Sequence, residues 1–249
     1  MKEYIGKPED KLMNLMDPSS PVMTGVVQNQ DSYMKGKIAQ RWYYDRVAPS
    51  LREAFDLFAE KTGRKYDHVM PYRCEDAEYI IVGMGCYMET AMAVVDYLRN
   101  KRGLHVGCLN VVCFRPFPGR QIVEALRHCE AFTVIERMDD PLSTTGNHLT
   151  REIKAAFCDA ISVQNGQDAL LKVPRIHHGA AGLGSRDVRA GDMIAIFDNM
   201  VEHGQDFFCV GIDHPLALKV TEDPDLREPG AFSMRGHSVG GFGSVTTNK

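Results

Sequence analysis

The chain has 249 residues, 44% of them hydrophobic and 25% charged, and its formal net charge is −4. This length and composition are typical of one or two globular domains with a buried core. The charge is spread without a block of one sign, which argues against nucleic-acid or anionic membrane partners. No apolar run approaches the roughly 20 residues that span a bilayer, and residues 1–21 lack the apolar centre of a secretory signal. A cytoplasmic location is therefore expected.

The seven cysteines are odd in number, and several lie in apolar runs. No Cys-x-x-Cys occurs, so the closely spaced thiolates of a ferredoxin-type iron–sulfur cluster are missing. We expect reduced, buried thiols and no metal in this chain.

The first 75 residues are predicted to form a separate N-terminal segment. Residues 1 to about 32 are expected to be irregular, because Pro8, Pro18 and Pro21 interrupt them. Helical periodicity then runs over residues 33–63, where Gly63 can end the helix. A polar connector is expected over residues 64–76.

From residue 76 to about 215, apolar strands alternate with amphipathic helices. The pattern predicts an α/β domain with a mostly parallel five-stranded sheet and helices on both faces. Asn147 is expected to cap one of these helices, and Ser185 or Asp187 another. The five strands are predicted at 79–84, 104–114, 132–135, 172–177 and 207–212.

The first strand of this domain ends in Gly83-x-Gly85 and runs into a helix, which resembles a dinucleotide-binding turn. The fingerprint needs a third glycine, where this chain has Met88. It also needs an acidic residue after the second strand, where this chain has Arg115. Dinucleotide binding is therefore disfavoured, and the glycines are interpreted as allowing close backbone approach at the carboxyl edge of the sheet.

Several polar residues lie where chemistry could occur, but a structural role is favoured for each. Glu89 suits the helix dipole, and Arg115 suits an ion pair although it could also bind a carboxylate or phosphate. Asp139 and Asp140 precede a proline and favour a turn. His177 and His178 point to opposite faces of a strand, so they are poorly placed to ligate one metal.

Motifs spread along the chain resemble the 2-oxoacid:acceptor oxidoreductases, specifically pyruvate:ferredoxin (flavodoxin) oxidoreductase. The resemblance covers residues 15–249, and the order of the motifs is more specific than any one of them. The motifs, in order, are DPSSPVMTGVVQNQDSYM, KTGRKYD, YIIVGMGCYMETAMAVVDYLR, FRPFP, GLGSRDV, IFDNM and VGID.

The resemblance implies an enzyme that uses thiamine diphosphate, Mg²⁺, 4Fe-4S clusters and coenzyme A to convert a 2-oxoacid, by default pyruvate, into an acyl-CoA. It implies that residues 1–75 end a pyrimidine-binding domain and connector, and that residues 76–215 form a transketolase C-terminal-like domain. Residues 216–249 would be a linker and the start of a gamma-type domain. The Gly-Asp-Gly…Asn motif that holds thiamine diphosphate through Mg²⁺ is missing, so no catalytic residue and no cofactor are expected in this chain itself.

The expected role is therefore that of a structural or assembly segment, either a subunit or an excised piece of a longer enzyme. Its partners would be the remaining domains or subunits of an oligomer, with ferredoxin or flavodoxin as partner of the full enzyme. Three sheet-edge residues are expected to contact those partners: Phe114, Arg115 and Phe117.

The glycine-rich terminal segment, residues 232–249, is the best candidate for binding a ligand. Its bare backbone N–H groups could cradle phosphate, and the resemblance associates the gamma-type domain with the coenzyme A nucleotide. A flexible linker is the alternative. A stand-alone module that binds coenzyme A or a nucleotide therefore remains the alternative function. The candidate residues are Arg235, Gly236, His237, Gly240, Gly241, Gly243, Ser244, Thr246 and Lys249.

Overall fold

The computed structural model describes residues 5–11, 16–22, 25–161, 172–232 and 241. The chain divides into two compact units, residues 1–51 and 52–249. Among the described residues, no helix combines the length and the apolar character needed to cross a bilayer.

The helical region predicted over residues 33–63 is present as three pieces. They are α1 (Tyr33–Ala39), α2 (Arg41–Tyr44) and α3 (Val47–Thr62), and α3 begins in the first unit and continues in the second. Gly63 ends α3 as predicted, with a φ of +74° and its N–H donating to the carbonyl of Ala59 at 2.8 Å. None of the three helices has a buried residue.

The second unit is built on a six-stranded sheet with strand order β1-β3-β2-β4-β5-β6. All neighbours pair in parallel except β1, which runs antiparallel to β3. The mostly parallel α/β architecture is therefore confirmed. The strands are β1 (Val69–Tyr72), β2 (Tyr79–Gly83), β3 (Val106–Val111), β4 (Ala131–Glu136), β5 (Arg175–Ala180) and β6 (Phe207–Cys209).

The sheet is covered on both faces, as predicted. Four helices do this: α4 (Tyr87–Arg102), α5 (Gly119–Leu126), α6 (His148–Ile161) and α7 (Ala190–Val201). Side chains of α4 and α7 belong to one buried apolar cluster, and those of α5 and α6 belong to a second. Parallel strands covered in this way are apolar almost throughout, which is why β2 is buried along its whole length.

Strand β1 lies within the polar connector expected over residues 64–76 and raises the strand count from the predicted five to six. It has only four residues and includes Pro71, which an edge strand tolerates because its outer N–H groups need no partner. A side chain at Gly107 would lie 2.6 Å from the carbonyl oxygen of Arg73, so glycine there lets the chain approach β3 closely.

Two predicted helix caps are wrong. The side chain of Asn147 bonds to the backbone of Met138 and Asp140, and the carboxylate of Glu136 receives the first N–H groups of α6 instead. Helix α7 begins after Arg189 rather than at Ser185 or Asp187. There, the buried Asp192 accepts the N–H of Arg189 at 2.9 Å.

Candidate functional site

The carboxyl ends of the parallel strands meet at one edge of the sheet, called here the carboxyl edge. A pocket of about 330 Å³ lies there, between the ends of β2 and β4 and the start of α6. Open parallel sheets place ligands or partners at this edge. Nine residues line the pocket, and their exposed surface is mainly apolar: Met84, Tyr87, Phe114, Ile135, Glu136, Arg137, Met138, His148 and Leu149.

Met84, the middle residue of the Gly83-x-Gly85 turn, lines one side of this pocket, and Tyr87 lines the pocket next to it. The hydroxyl of Tyr87 donates to the carbonyl of Ile135 at 2.8 Å and accepts the N–H of Met84 at 3.2 Å. A Cβ on Gly83 would lie 2.7 Å from the Tyr87 ring, so the ring occupies the space that glycine leaves free. Burial raises the pKa of Tyr87, which keeps its hydroxyl protonated as a donor.

This arrangement uses one of the backbone N–H groups that a phosphate-binding turn would present. Such a turn presents unbonded N–H groups to the ligand, whereas the Met84 N–H is already bonded to Tyr87. Gly85 has a φ of +96°, with nothing within 4 Å of the position a Cβ would take. Gly85 is therefore required by its backbone conformation, and the expected close backbone approach is wrong for both glycines, because only side chains lie near Gly83.

Glu136 is the buried acid of the pocket, with only 8% of its surface exposed. It accepts the N–H of Leu149 at 2.6 Å, and the N–H and hydroxyl of Thr150 at 3.2 Å and 2.7 Å. A carboxylate at a helix N-terminus is stabilised by the helix dipole as well as by these donors. Both oxygens are thus engaged in holding α6 against β4, which leaves this carboxylate a structural role.

Two basic side chains contribute to the pocket. The Nε of Arg137 donates to the carbonyl of Gly182 at 3.2 Å, and its guanidinium reaches the exposed surface. The Nδ1 of His148 lies 3.1 Å from Nη2 of Arg151. The pocket therefore combines an apolar interior with the exposed basic side chain of Arg137.

The predicted contact residues after β3 lie beside the pocket. Phe114 and Phe117 are half-buried and meet edge to face, with 5.9 Å between ring centroids, and both pack against the second core cluster. Arg115 lies over the Phe114 ring and pairs with Glu152 at 2.5 Å. The interpretation of Arg115 as an ion-pair residue is confirmed.

Other candidates from the sequence have the structural roles that were favoured. Glu89 lies in the first turn of α4. The carboxylate of Asp140 accepts the N–H of Leu142 at 3.2 Å, which shapes the predicted turn. His177 is fully buried with Nδ1 2.8 Å from the carbonyl of Gln205, whereas His178 is half-buried beside Phe207.

The predicted phosphate cradle in the terminal segment stays a prediction. Gly241 alone lies within the described residues, where it has a φ of +92°. The other eight candidates lie outside the described residues: Arg235, Gly236, His237, Gly240, Gly243, Ser244, Thr246 and Lys249.

The described residues do not form the ligand cluster that a protein-bound magnesium or iron–sulfur site would use. Within the described part of the chain, no group of three or more His, Cys, Asp or Glu side chains is placed to hold a metal ion. All seven cysteines are free thiols. Burial raises the pKa of three of them to about 12, which disfavours the thiolate that a cluster requires. These three are Cys74, Cys108 and Cys129.

Comparison with known proteins identifies the domain. Residues 77–192 match the family model described as pyruvate:ferredoxin oxidoreductase core domain II. The chain belongs to the pyruvate:ferredoxin oxidoreductase family. The matched range holds the pocket, the Gly83-x-Gly85 turn and four of the six strands.

Relatives in this family align over most of the chain. It is 30% identical over 253 aligned positions to the pyruvate-flavodoxin oxidoreductase of Nostoc sp., covering 97% of this chain and 21% of that protein. It is 33% identical to pyruvate synthase subunit PorA of Methanothermobacter thermautotrophicus, covering 73% of this chain and 43% of that subunit. It is 30% identical to the pyruvate-flavodoxin oxidoreductase of Klebsiella pneumoniae, covering 95% of this chain and 20% of that protein. The chain thus spans between a fifth and a half of these relatives.

Proposed function

We propose that this chain is a structural and assembly segment of a thiamine-diphosphate-dependent pyruvate:ferredoxin or flavodoxin oxidoreductase. The complete enzyme would oxidatively decarboxylate pyruvate to the acyl-CoA and pass the electrons to ferredoxin or flavodoxin in the cytoplasm. On this proposal, thiamine diphosphate, Mg²⁺, the 4Fe-4S clusters and most of the coenzyme A site belong to other parts of an oligomeric enzyme.

The observation that carries the proposal is the bonding of two polar groups of the pocket, the Met84 N–H and the Glu136 carboxylate. Tyr87 occupies the Met84 N–H, and Glu136 accepts three donors from α6, so neither offers a free group for catalysis. What the pocket still offers is apolar surface and the exposed guanidinium of Arg137. Burying apolar surface contributes about 25 cal/mol per Å² before ordering costs, which favours a protein contact.

Alanine at Phe114 and Phe117 is not a clean test of this contact. Phe114 and Phe117 pack against the core, so alanine at these positions would also destabilise the domain. Met138 is a better probe because it lines the pocket and is only half-buried. We expect Met138→Glu to weaken assembly by placing a charge in the apolar contact.

The test uses the complete oxidoreductase from the same organism, expressed as two polypeptides: this chain and the remainder of the enzyme. Association is measured by titration, and activity by pyruvate-dependent reduction of flavodoxin. Met70→Glu is the matched control, because Met70 is also partly exposed but lies on edge strand β1, outside the pocket. Equal association of the wild type and the Met138→Glu variant would show that the carboxyl edge is not the interface.

The alternative function, a module that binds coenzyme A or a nucleotide by itself, is distinguished by calorimetry on the isolated chain. The proposal expects weak binding of coenzyme A and none of NAD. Tight binding of either ligand by residues 1–249 alone would favour the alternative.

A further inference from the structure

The short helices of the first unit carry several exposed aromatic and aliphatic side chains. We define the aromatic helical segment as residues 33–47, which contain α1, α2 and the start of α3. Three consecutive aromatic residues are more than half exposed: Trp42 at 58%, Tyr43 at 68% and Tyr44 at 67%. Further exposed side chains of the segment are Tyr33, Met34, Ile38 and Val47.

Nothing within the described part of the chain gives this segment a core. Helices α1 to α3 contain no buried residue, and α1 and α2 have only seven and four residues. Helices this short are not stable in water unless an apolar face packs against a partner. So many exposed apolar side chains within one short segment favour an interaction surface.

The charge of the segment restricts the partner. It carries four basic residues and one acidic residue, Asp45, so its formal charge is +3 in a chain whose total is −4. A second copy of the segment would present the same positive charge, which opposes self-association. An apolar surface rimmed by carboxylates would be complementary to it. The four basic residues are Lys35, Lys37, Arg41 and Arg46.

The local geometry disfavours two other classes of partner. The guanidinium of Arg46 lies 3.4 Å from the centre of the Trp42 ring and covers one face that a nucleic-acid base would need for stacking. Tyr43 meets Trp42 edge to face at 4.8 Å. The helices of the segment are also too short and interrupted to form the continuous amphipathic face of a membrane-surface helix.

We propose that the aromatic helical segment is a second docking surface, and that it binds an acidic-rimmed apolar surface on the remainder of the same oxidoreductase. This inference rests on the proposed function, because it takes the remainder of the enzyme as the partner. In the Nostoc relative, the aligned region is 21% of the protein, so this family supplies ample further surface. Trp42 is the central anchor, and the basic side chains set its orientation.

The test again uses the complete enzyme expressed as two polypeptides. Trp42 is the single tryptophan of the chain, so a version of the remainder with its tryptophans replaced leaves Trp42 as the sole fluorescent reporter. On association, its emission should shift to shorter wavelength, and acrylamide should quench it less. Emission and quenching identical to those of the free chain would overturn the proposal.

Substitutions supply the second measurement. Trp42→Ser combined with Tyr44→Ser should weaken association by at least about tenfold, as expected for buried aromatic anchors. Lys35→Glu combined with Arg41→Glu should weaken it further as salt is lowered, because repulsion from the acidic rim is then less screened. Leu142→Ser is the control, since this residue is 92% exposed but lies outside the segment. It should leave association unchanged.

The remaining outcomes also decide the question. Binding of the isolated chain to phosphatidylglycerol vesicles or to single-stranded DNA that is lost with Trp42→Ser would overturn the proposal. So would a dimer of the isolated chain, seen by sedimentation, that depends on Trp42. If Met138→Glu disrupts assembly while the Trp42 and Tyr44 variant does not, this inference fails and the proposed function stands. If the wild-type chain does not associate with the remainder, both fail.

Discussion

Removal of the Tyr87 hydroxyl tests whether the Gly83-x-Gly85 turn is a structural corner. Tyr87→Phe keeps the ring that fills the space above Gly83, and deletes only the oxygen bonded to Met84 and Ile135. Tyr87 is 5% exposed, so water cannot easily replace the lost partner.

The cost follows from two hydrogen bonds. A typical intramolecular hydrogen bond contributes about 0.5–1.5 kcal/mol net, so losing both should lower the free energy of unfolding by about 1–3 kcal/mol. Tyr97→Phe is the matched control, because the hydroxyl of this half-buried tyrosine bonds to Glu222 at 3.0 Å near the surface. It should cost less than about 1 kcal/mol.

The assay is urea denaturation followed by circular dichroism, with calorimetric titration of NAD in parallel. A free energy of unfolding that falls no further in Tyr87→Phe than in Tyr97→Phe would refute the structural role of the hydroxyl. So would tight NAD binding by the wild type, because the turn would then bind a dinucleotide despite its bonded N–H.

Three further predictions concern the same domain. Gly85→Ala should lower the free energy of unfolding by about 1–2 kcal/mol in urea denaturation, because Gly85 has a φ of +96°; an unchanged midpoint would contradict this. Burial lowers the pKa of His177 in the folded state below its usual 6.5. The stability that this neutral ring contributes is fully present above about pH 6.5 and is lost as pH falls through the lower folded-state pKa. Stability measured against pH should therefore fall more steeply on the acid side than in His177→Gln, with the exposed His105→Gln as control. Iodoacetamide should label Cys86 and Cys158 first, as mass spectrometry can show, because both are exposed; rapid labelling of the thiols with pKa values of about 12 would be inconsistent with their burial.

Much of the fold could be predicted because buried parallel strands are nearly continuous apolar runs. Strand β2 and helix α4 were predicted closely, since Gly83 and Gly103 mark their ends and α4 is amphipathic. Strand β5 was placed about three residues too early, because His178-Gly179-Ala180 resembles a loop. Gly179 nevertheless lies within the strand. A Cβ at this position would be 2.5 Å from the ring of Phe208, so the packing there requires glycine.

Interactions between distant parts of the chain were not predictable. Strand β1 forms through antiparallel pairing with β3 about 40 residues later, and its four residues show no alternation that would reveal it. The cap of α6 comes from Glu136, 13 residues before Leu149, whereas sequence patterns reveal only local caps such as Asn147.

The sequence indicated the carboxyl edge as a contact surface but not its internal bonding, and the ligand site predicted in residues 232–249 stays a prediction. The Gly-x-Gly turn and the carboxyl edge follow from local patterns. The Tyr87 contact with Ile135 spans 48 residues, and no motif signals it. A tyrosine four residues after a strand-ending glycine is the one local feature that could have suggested a ring over that glycine.

The central claim is that this chain assembles a pyruvate:ferredoxin oxidoreductase without containing its catalytic centre. The most direct measurement is pyruvate-dependent reduction of flavodoxin, with thiamine diphosphate, Mg²⁺ and coenzyme A supplied, by this chain alone, by the remainder alone and by both together. We predict turnover only when both polypeptides are present. Turnover by residues 1–249 alone, or full activity of the remainder without them, would contradict the account.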